Sequence, residues 1–223
     1  MKFDLRPCSI DDVASLCERF HGYRGAGRVA VYAFGVFEGG QIVAAYAWQP
    51  PPPASAKSVC PSAPYGVLSL SRMVAVPRGE RALKHVSKPL MTQMKHLIDR
   101  TRWPVLVTYS DEGQIGPSGK GHNGYVYQCS GWTAKCKSER PFYLCDGERV
   151  SSYRDGREDL EGIVKGGMTT VQRWEHWIDP DPKQWMEAHG WRRVAVPGKR
   201  WRSGAQAYTW ERQQPTSQCE MFG

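Results

Sequence analysis

Apolar and polar residues alternate over positions 2–6, which predicts a short strand. Ser9 and Asp12 then form a capping-box-like opening, and Val13, Leu16, Cys17 and Phe20 follow at helical spacing, so a helix comes next. That helix stops around His21-Gly22-Tyr23-Arg24-Gly25, where glycines let the backbone turn and leave an imidazole, a phenol and a guanidinium together. Positions 29–38 and 41–49 are two β-rich runs joined by Gly39-Gly40, the strongest hairpin signal in the chain. The four prolines at 50–53 forbid continued pairing and predict an extended connection. Positions 66–76 read as another strand with Arg72 in its middle, and a guanidinium there needs a partner, because burying an unpaired charge is costly.

The period then changes. Leu83, Val86, Leu90, Met94 and Leu97 step by three or four, so a helix lays one face on the sheet. Pro89 leaves two starts open: a helix with Ser87 as N-cap and Pro89 in its first turn, preferred here, or a longer helix kinked at Pro89. A strand over 104–109 leads into Tyr109-Ser110-Asp111, a Gly/Ser-rich loop, and a short helical segment carrying Tyr127 before Gly131-Trp132. Beyond it, 142–145 and 149–153 read as a hairpin around Asp146-Gly147, and 155–168 as an exposed polar loop. Positions 171–178 read as a strand. Asp181-Pro182 opens a short helix that Gly190 closes. The chain finishes with 191–196, a turn at Pro197-Gly198, a last strand over 207–210 and a frayed end.

With 223 residues, 40% of them hydrophobic, the chain can bury a real core, and one compact unit with or without an appendage is expected. No apolar run approaches the roughly 18 residues of a membrane span, and the start, Met1-Lys2-Phe3-Asp4, lacks a signal-peptide pattern; a cytoplasmic protein with no membrane partner is expected. Seven cysteines include no Cys-x-x-Cys pair and read as free thiols of a reducing compartment. The formal net charge of +8 is concentrated at 84–95 and 192–202. It points to a polyanionic partner or, more blandly, to a solvated basic surface. Lys199-Arg200-Trp201-Arg202 sharpens that choice: basic residues around an aromatic suit phosphate binding with base stacking, or a solvated hairpin tip.

The chemistry-bearing stretch is 109–132. A carboxylate at a strand's end, Asp111, and a returning phenol, Tyr127, can exchange protons around a nucleophilic amine. The plainer reading makes Asp111 a turn cap and Tyr127 a half-buried core residue. A metal reading would use His21, Asp111 and His122 as nitrogen and oxygen ligands of iron, although no pair has a local ligand spacing.

The order strand, helix, hairpin, long strand, helix, strand, short helix with Tyr and then Gly-Trp resembles the GNAT acyltransferase core, an α+β fold with a central mixed sheet flanked by helices. Asn123-Gly-Tyr-Val-Tyr-Gln-Cys-Ser-Gly-Trp132 is similar to that fold's Asn, then Leu-Tyr-Glu-Lys-x-Gly-Phe signature, with Tyr127 on the tyrosine that often serves as general acid. Leu70-Ser71-Arg72, Tyr109-Ser110-Asp111, Gly121-His122-x-Gly124-x-x-Tyr127 and an early His/Tyr pair resemble the phage Mom proteins, which hypermodify adenine in DNA to its carbamoylmethyl form and so block host restriction. The resemblance implies His21, Tyr23, Arg72, Asp111 and Tyr127 as functional positions. Here Gly22 separates the His/Tyr pair, and the segment 112–120 is added between Asp111 and the short helix.

In GNAT enzymes a glycine-bearing loop cradles the acyl-CoA pyrophosphate. The corresponding region, Arg78-Gly79-Glu80-Arg81-Ala82-Leu83-Lys84, lacks glycines after Gly79 and, with Lys88, offers diffuse positive charge from Arg78, Arg81 and Lys84. This suits a larger phosphate-bearing donor, and glycyl-tRNA would supply every atom of a carbamoylmethyl group. The resemblance implies double-stranded DNA as a partner, the atom count adds tRNA, and a homodimer is allowed. A 1–135 catalytic core would carry a 136–223 extension of sheet-completing strands and a basic tip. Two alternatives stay open: an acetyltransferase using acetyl-CoA on a protein or small amine, and a non-catalytic DNA-binding protein.

Overall fold

Local signals set the first elements. Ser9 caps α1 (Ile10–Phe20): its hydroxyl accepts from the Asp12 amide at 3.0 Å, and the Asp12 carboxylate accepts from the Ser9 amide at 3.0 Å. Before it runs β1 (Asp4–Pro7), and after it β2 (Tyr32–Glu38) and β3 (Gln41–Gln49) turn at Gly39-Gly40, whose φ values of 56° and 81° require glycine. The computed structural model describes residues 4–21, 29–77, 84–113, 123–145, 147–150, 163–200 and 206–213. The remaining elements are α2 (Pro53–Val59), β4 (Val67–Ala75), α3 (Lys84–Thr92), β5 (Val105–Asp111), α4 (Tyr125–Cys129), β6 (Thr133–Cys145), β7 (Glu148–Val150), β8 (Val164–Trp177), α5 (Pro182–Ala188), β9 (Trp191–Arg200) and β10 (Gln206–Arg212).

β1 to β8 form a sheet in the order β1-β2-β3-β4-β5-β8-β6-β7, and β9 and β10 pair separately. β4 and β5 are parallel, joined by the crossover through α3, while the other pairs in the sheet are antiparallel. One face of the sheet carries α3 and α4 over a core that includes Tyr46, Trp48, Leu68, Leu70, Leu90, Met94, Leu106, Tyr127, Trp132 and Trp174. The other face carries α1 over Ala45, Ala47 and Val74, and α2 over Val67, Val105 and Val107.

The structure corrects four sequence expectations. Pro52 is extended, with φ −51° and ψ 144°, but Pro53 takes the first position of α2, where its missing N–H costs no helical bond. α3 does not start at Ser87 as N-cap; it begins at Lys84 and contains Pro89, and a π-helical turn, Gln93–Leu97, follows. Around the proline α3 is tied to its neighbours: the Tyr46 hydroxyl donates to the Val86 carbonyl at 2.8 Å, and the Ser130 hydroxyl to the Ser87 carbonyl at 3.3 Å. The expected loop at 155–168 is strand from Val164 onward, since β6 offers a pairing edge and the Phe142 ring covers Gly166; 155–162 lie outside the described residues. Finally, Pro197-Gly198 is no turn but a bulge: pairing jumps from Gln206↔Arg200 to Tyr208↔Ala195, and Gln206 Nε2 donates to the Val196 carbonyl at 2.8 Å.

Candidate active site at the split between β4 and β5

Parallel pairing of β4 with β5 runs from Val67↔Val105 to Ser69↔Val107 and then stops. The last link is a side chain, the Thr108 hydroxyl donating to the Leu70 carbonyl at 3.1 Å. Past it β4 stays with β3 and β5 stays with β8, so the sheet opens between them. Arg72 and Asp111 both lie beyond this split, one on each bank.

On one face of the split stands Tyr127. Gly124, at φ 72°, starts α4 against the Trp174 ring, where a β-carbon would overlap the indole. One helical turn then buries Tyr127 to 3% exposure, its ring edge-on to Trp132 at 5.9 Å and tilted against Trp174 at 5.8 Å. Burial pushes the phenol up to about 12, with a hydrogen bond to the Thr108 side chain pulling the other way. The phenol is thus a proton donor throughout the neutral range. Trp174 is itself anchored, its indole N–H donating to Ser110 at 2.9 Å.

Asp111 belongs to the opposite face. Val105 and Val107 pack under α2 with Tyr109, whereas Leu106 packs with Tyr127, and strand alternation carries Asp111 with the former set. Its carboxylate is nearly buried: Oδ1 accepts from the Gly113 amide at 2.9 Å and from the Thr169 hydroxyl, and Oδ2 accepts from Arg149 Nη1 at 3.2 Å. Asp111 and Tyr127 therefore flank the split from opposite faces, because β5 places odd and even residues on different sides.

Arg72 joins the face of Asp111 through a bulge. Leu68 and Leu70 face α3, and alternation alone would send Arg72 the same way. Pairing shifts from Trp48↔Leu70 to Ala47↔Arg72, leaving Ser71 as the extra residue, with its hydroxyl on the Ala47 carbonyl at 3.1 Å. Arg72 consequently turns to the α1 side, where its charge acts on the Cys17 thiol, and Nη1 donates to the Ser71 carbonyl at 2.8 Å.

The other predicted residues are more dispersed. His21 is the half-buried C-cap of α1, its amide donating to the Cys17 carbonyl at 3.0 Å. Lys88 is exposed on α3, and Lys84 begins that helix. Arg200 is exposed at the end of β9 beside Lys199. Tyr23, Arg78, Arg81, His122, Trp201 and Arg202 lie outside the described residues. Among the described residues no group of three His, Cys, Asp or Glu stands close enough to hold a metal ion.

Several site residues escape sequence reasoning. Thr108 and Ser110 line Tyr127's face of the split, and their polar side chains at alternate positions of an apolar strand were the available signal. Glu175 is 3% exposed beside Arg173, with N–O separation of 2.9 Å, and accepts from the Trp177 indole at 2.7 Å. Burial raises the Tyr109 phenol, with Arg140 and Arg173 opposing, and Arg140 lies 5.2 Å from its ring centroid. Arg149 and Thr169 come from a segment with no readable purpose in the sequence.

The mixed sheet with its open parallel pair, flanked by helices, is a GNAT-like α+β fold. Among solved structures, the chain is similar to an N-acetyltransferase from Staphylococcus aureus Mu50, with 11% identity, TM-score 0.46, and coverage of 80% of this chain and 100% of that one. It is also similar to the ribosomal-protein-S18-alanine N-acetyltransferase from Escherichia coli, with 11% identity, TM-score 0.45, and coverage of 81% and 96%. A Bacillus subtilis acetyltransferase in complex with CoA gives 8% identity, TM-score 0.43, and coverage of 79% and 97%. No curated protein matches the chain. The sequence pattern of the Mom protein family matches residues 2–193, which include both banks of the split and the strands around it, and the chain belongs to that family.

Proposed function

We propose that this protein modifies adenine in double-stranded phage DNA by transferring a glycyl unit from glycyl-tRNA to the exocyclic amine, so protecting the DNA from host restriction in the host cytoplasm. Family membership supports phage DNA modification, and the GNAT-like fold is in keeping with acyl transfer. The observation that carries the reading is the pairing of groups at the split: a phenol kept protonated by burial on one face and a carboxylate on the other.

In this reaction N6 of adenine attacks the ester carbon, the N6 proton passes to the Asp111 carboxylate, and the terminal tRNA oxygen departs with the Tyr127 proton, which Asp111 later returns through solvent. Asp111 accepts a hydrogen bond from the amine, whose lone pair is delocalised into the ring and needs help to attack. Tyr127 donates to the departing hydroxyl. The glycyl-adenine formed is an isomer of carbamoylmethyladenine; an intramolecular exchange, in which the bonds N6–carbonyl and amine–methylene break while N6–methylene and amine–carbonyl form, completes the product without further atoms. Arg72 orients Asp111 or a phosphate, and His21 or Tyr23 stacks on the base once it is flipped from the duplex. Arg78, Arg81, Lys84 and Lys88 hold donor phosphates, and Lys199, Arg200, Trp201 and Arg202 contact the DNA.

The test is incubation of the protein with DNA and glycyl-tRNA charged with isotope-labelled glycine, followed by mass spectrometry of the nucleosides. Labelled adenine is the expected product. Unmodified adenine with that donor, together with product from acetyl-CoA, would overturn the donor assignment, and full activity of Asp111→Asn would remove Asp111 from the chemistry.

A further inference from the structure

β7 lies three strand positions from β5, about 14 Å at ~4.8 Å per strand, which is farther than an arginine side chain reaches. Yet Arg149 of β7 stands 3.2 Å from the Asp111 carboxylate. The distal halves of β6 and β8 must therefore curl over the sheet face and bring β7 back towards β5. The register shift at Phe142/Tyr143 and the Gly166-Gly167 pair, with φ 138° at Gly167, sit where that curl is made.

Everything described around Arg149 is built close. Its guanidinium lies 3.9 Å from the Phe142 ring centroid, and that ring occupies the space a side chain at Gly166 would need. A β-carbon on Gly113 would come within 2.6 Å of the Thr169 hydroxyl and 2.8 Å of Arg149 Nη2, so a side chain there would have to displace the two groups that meet the Asp111 carboxylate. β7 itself is three residues long and, among the described residues, pairs with β6 at the end of the sheet. Arg149, by contrast, has a side chain only 18% exposed and reaches inward.

We propose that Arg149 is a positioning residue for Asp111: the curled β6–β8 arm exists at this point to hold the carboxylate in one orientation, with Arg149 on Oδ2 and Thr169 on Oδ1. The proposal rests on the reading of Asp111 as the group that meets the adenine amine. A carboxylate held by donors from β7, β8 and its own turn cannot rotate without breaking a charge-assisted bond.

Two measurements on the full chain separate this proposal from the functional reading. In amide NMR spectra, Gly113 reports the carboxylate directly through its bond to Oδ1. Arg149→Met should move or split the Gly113 resonance while leaving those of α1 and β2 unchanged, and Arg149→Lys should return it part of the way. In the DNA assay, Arg149→Met should lower kcat by about 10²-fold, with KM for DNA changed by no more than about twofold. Added guanidinium should restore much of the lost rate to Arg149→Ala. An unmoved Gly113 resonance, or a wild-type kcat in Arg149→Met, overturns the proposal. If the wild-type protein modifies no adenine, the functional reading fails, and the Gly113 resonance still decides whether Arg149 orders Asp111.

Discussion

At Tyr127 a single atom separates the packing of the ring from the proton donation proposed for the hydroxyl. Its ring is wedged between Trp132 and Trp174, whereas its hydroxyl bonds the Thr108 side chain at the split. Tyr127→Phe keeps the ring, so folding should lose only about 1 kcal/mol from one buried hydrogen bond, while glycyl transfer should fall about 10²- to 10⁴-fold; unchanged transfer in a folded variant would take the phenol out of the reaction. The titration gives an independent check. The folded value, about 12, lies above the ordinary 10, so the folded state holds the proton more tightly, and this stability is present below pH 10 and lost as pH rises through 12. The loss is on the order of 3 kcal/mol. Denaturant melts from pH 9 to 12 should therefore fall more steeply for the wild type than for Tyr127→Phe. At this scale the two candidates were readable as residue types, Asp111 at a strand end and Tyr127 in a short helix. Their faces were not, because one bulge residue, Ser71, and the alternation of β5 decide which side each bank presents.

The element that organises the site is β8. It arrives late in the chain, yet it lies between β5 and β6, pairing Asp111 with Val171 and Thr133 with Glu175, and it delivers Trp174 to the Tyr127 face and Thr169 to the Asp111 face. β6 in turn spans residue 135, with a shift in its pairing to β8 between Ala134 and Lys137. A chain ending at residue 135 would leave β5 with an unpaired edge and the aromatic cluster without Trp174. Such a fragment should show poor amide dispersion and no cooperative melt; a cooperatively folded 1–135 fragment would show that β8 is dispensable to the core. Sequence reasoning placed the β-hairpin, α1, α4 and α5 because each is marked by glycines, caps or prolines within a few positions. It shortened β8 and misplaced the start of α3, where neighbours distant in the chain supply what local chemistry lacks: Phe142 over Gly166, and Tyr46 and Ser130 on the carbonyls before Pro89.

For the whole molecule, charge dominates any encounter with a nucleic acid. The formal net charge is +8, and the β9–β10 ribbon carries Arg192, Arg193, Lys199, Arg200 and Arg212 against Glu211, with Arg193 lying 3.8 Å from the Tyr208 ring centroid and 5.6 Å from that of Tyr65. If the ribbon meets phosphates, DNA affinity falls with salt, and each lost contact flattens the logarithmic slope by about 0.9. The double substitution Lys199→Gln, Arg200→Gln should flatten it by roughly 2 in anisotropy titrations from 50 to 200 mM salt, and an unaltered slope would place the DNA elsewhere. The α+β class, the family resemblance, the basic ribbon and the residue types at the site were all legible along the chain, because caps, turns, periodicity and charge are written in neighbouring positions. That Asp111 and Tyr127 address the β4–β5 split from opposite faces, and that Arg149 and Thr169 hold the carboxylate, emerged only once the chain was folded. Those facts depend on strand order, one bulge and the curl of an arm, which arise from pairing between residues tens of positions apart and leave no local trace.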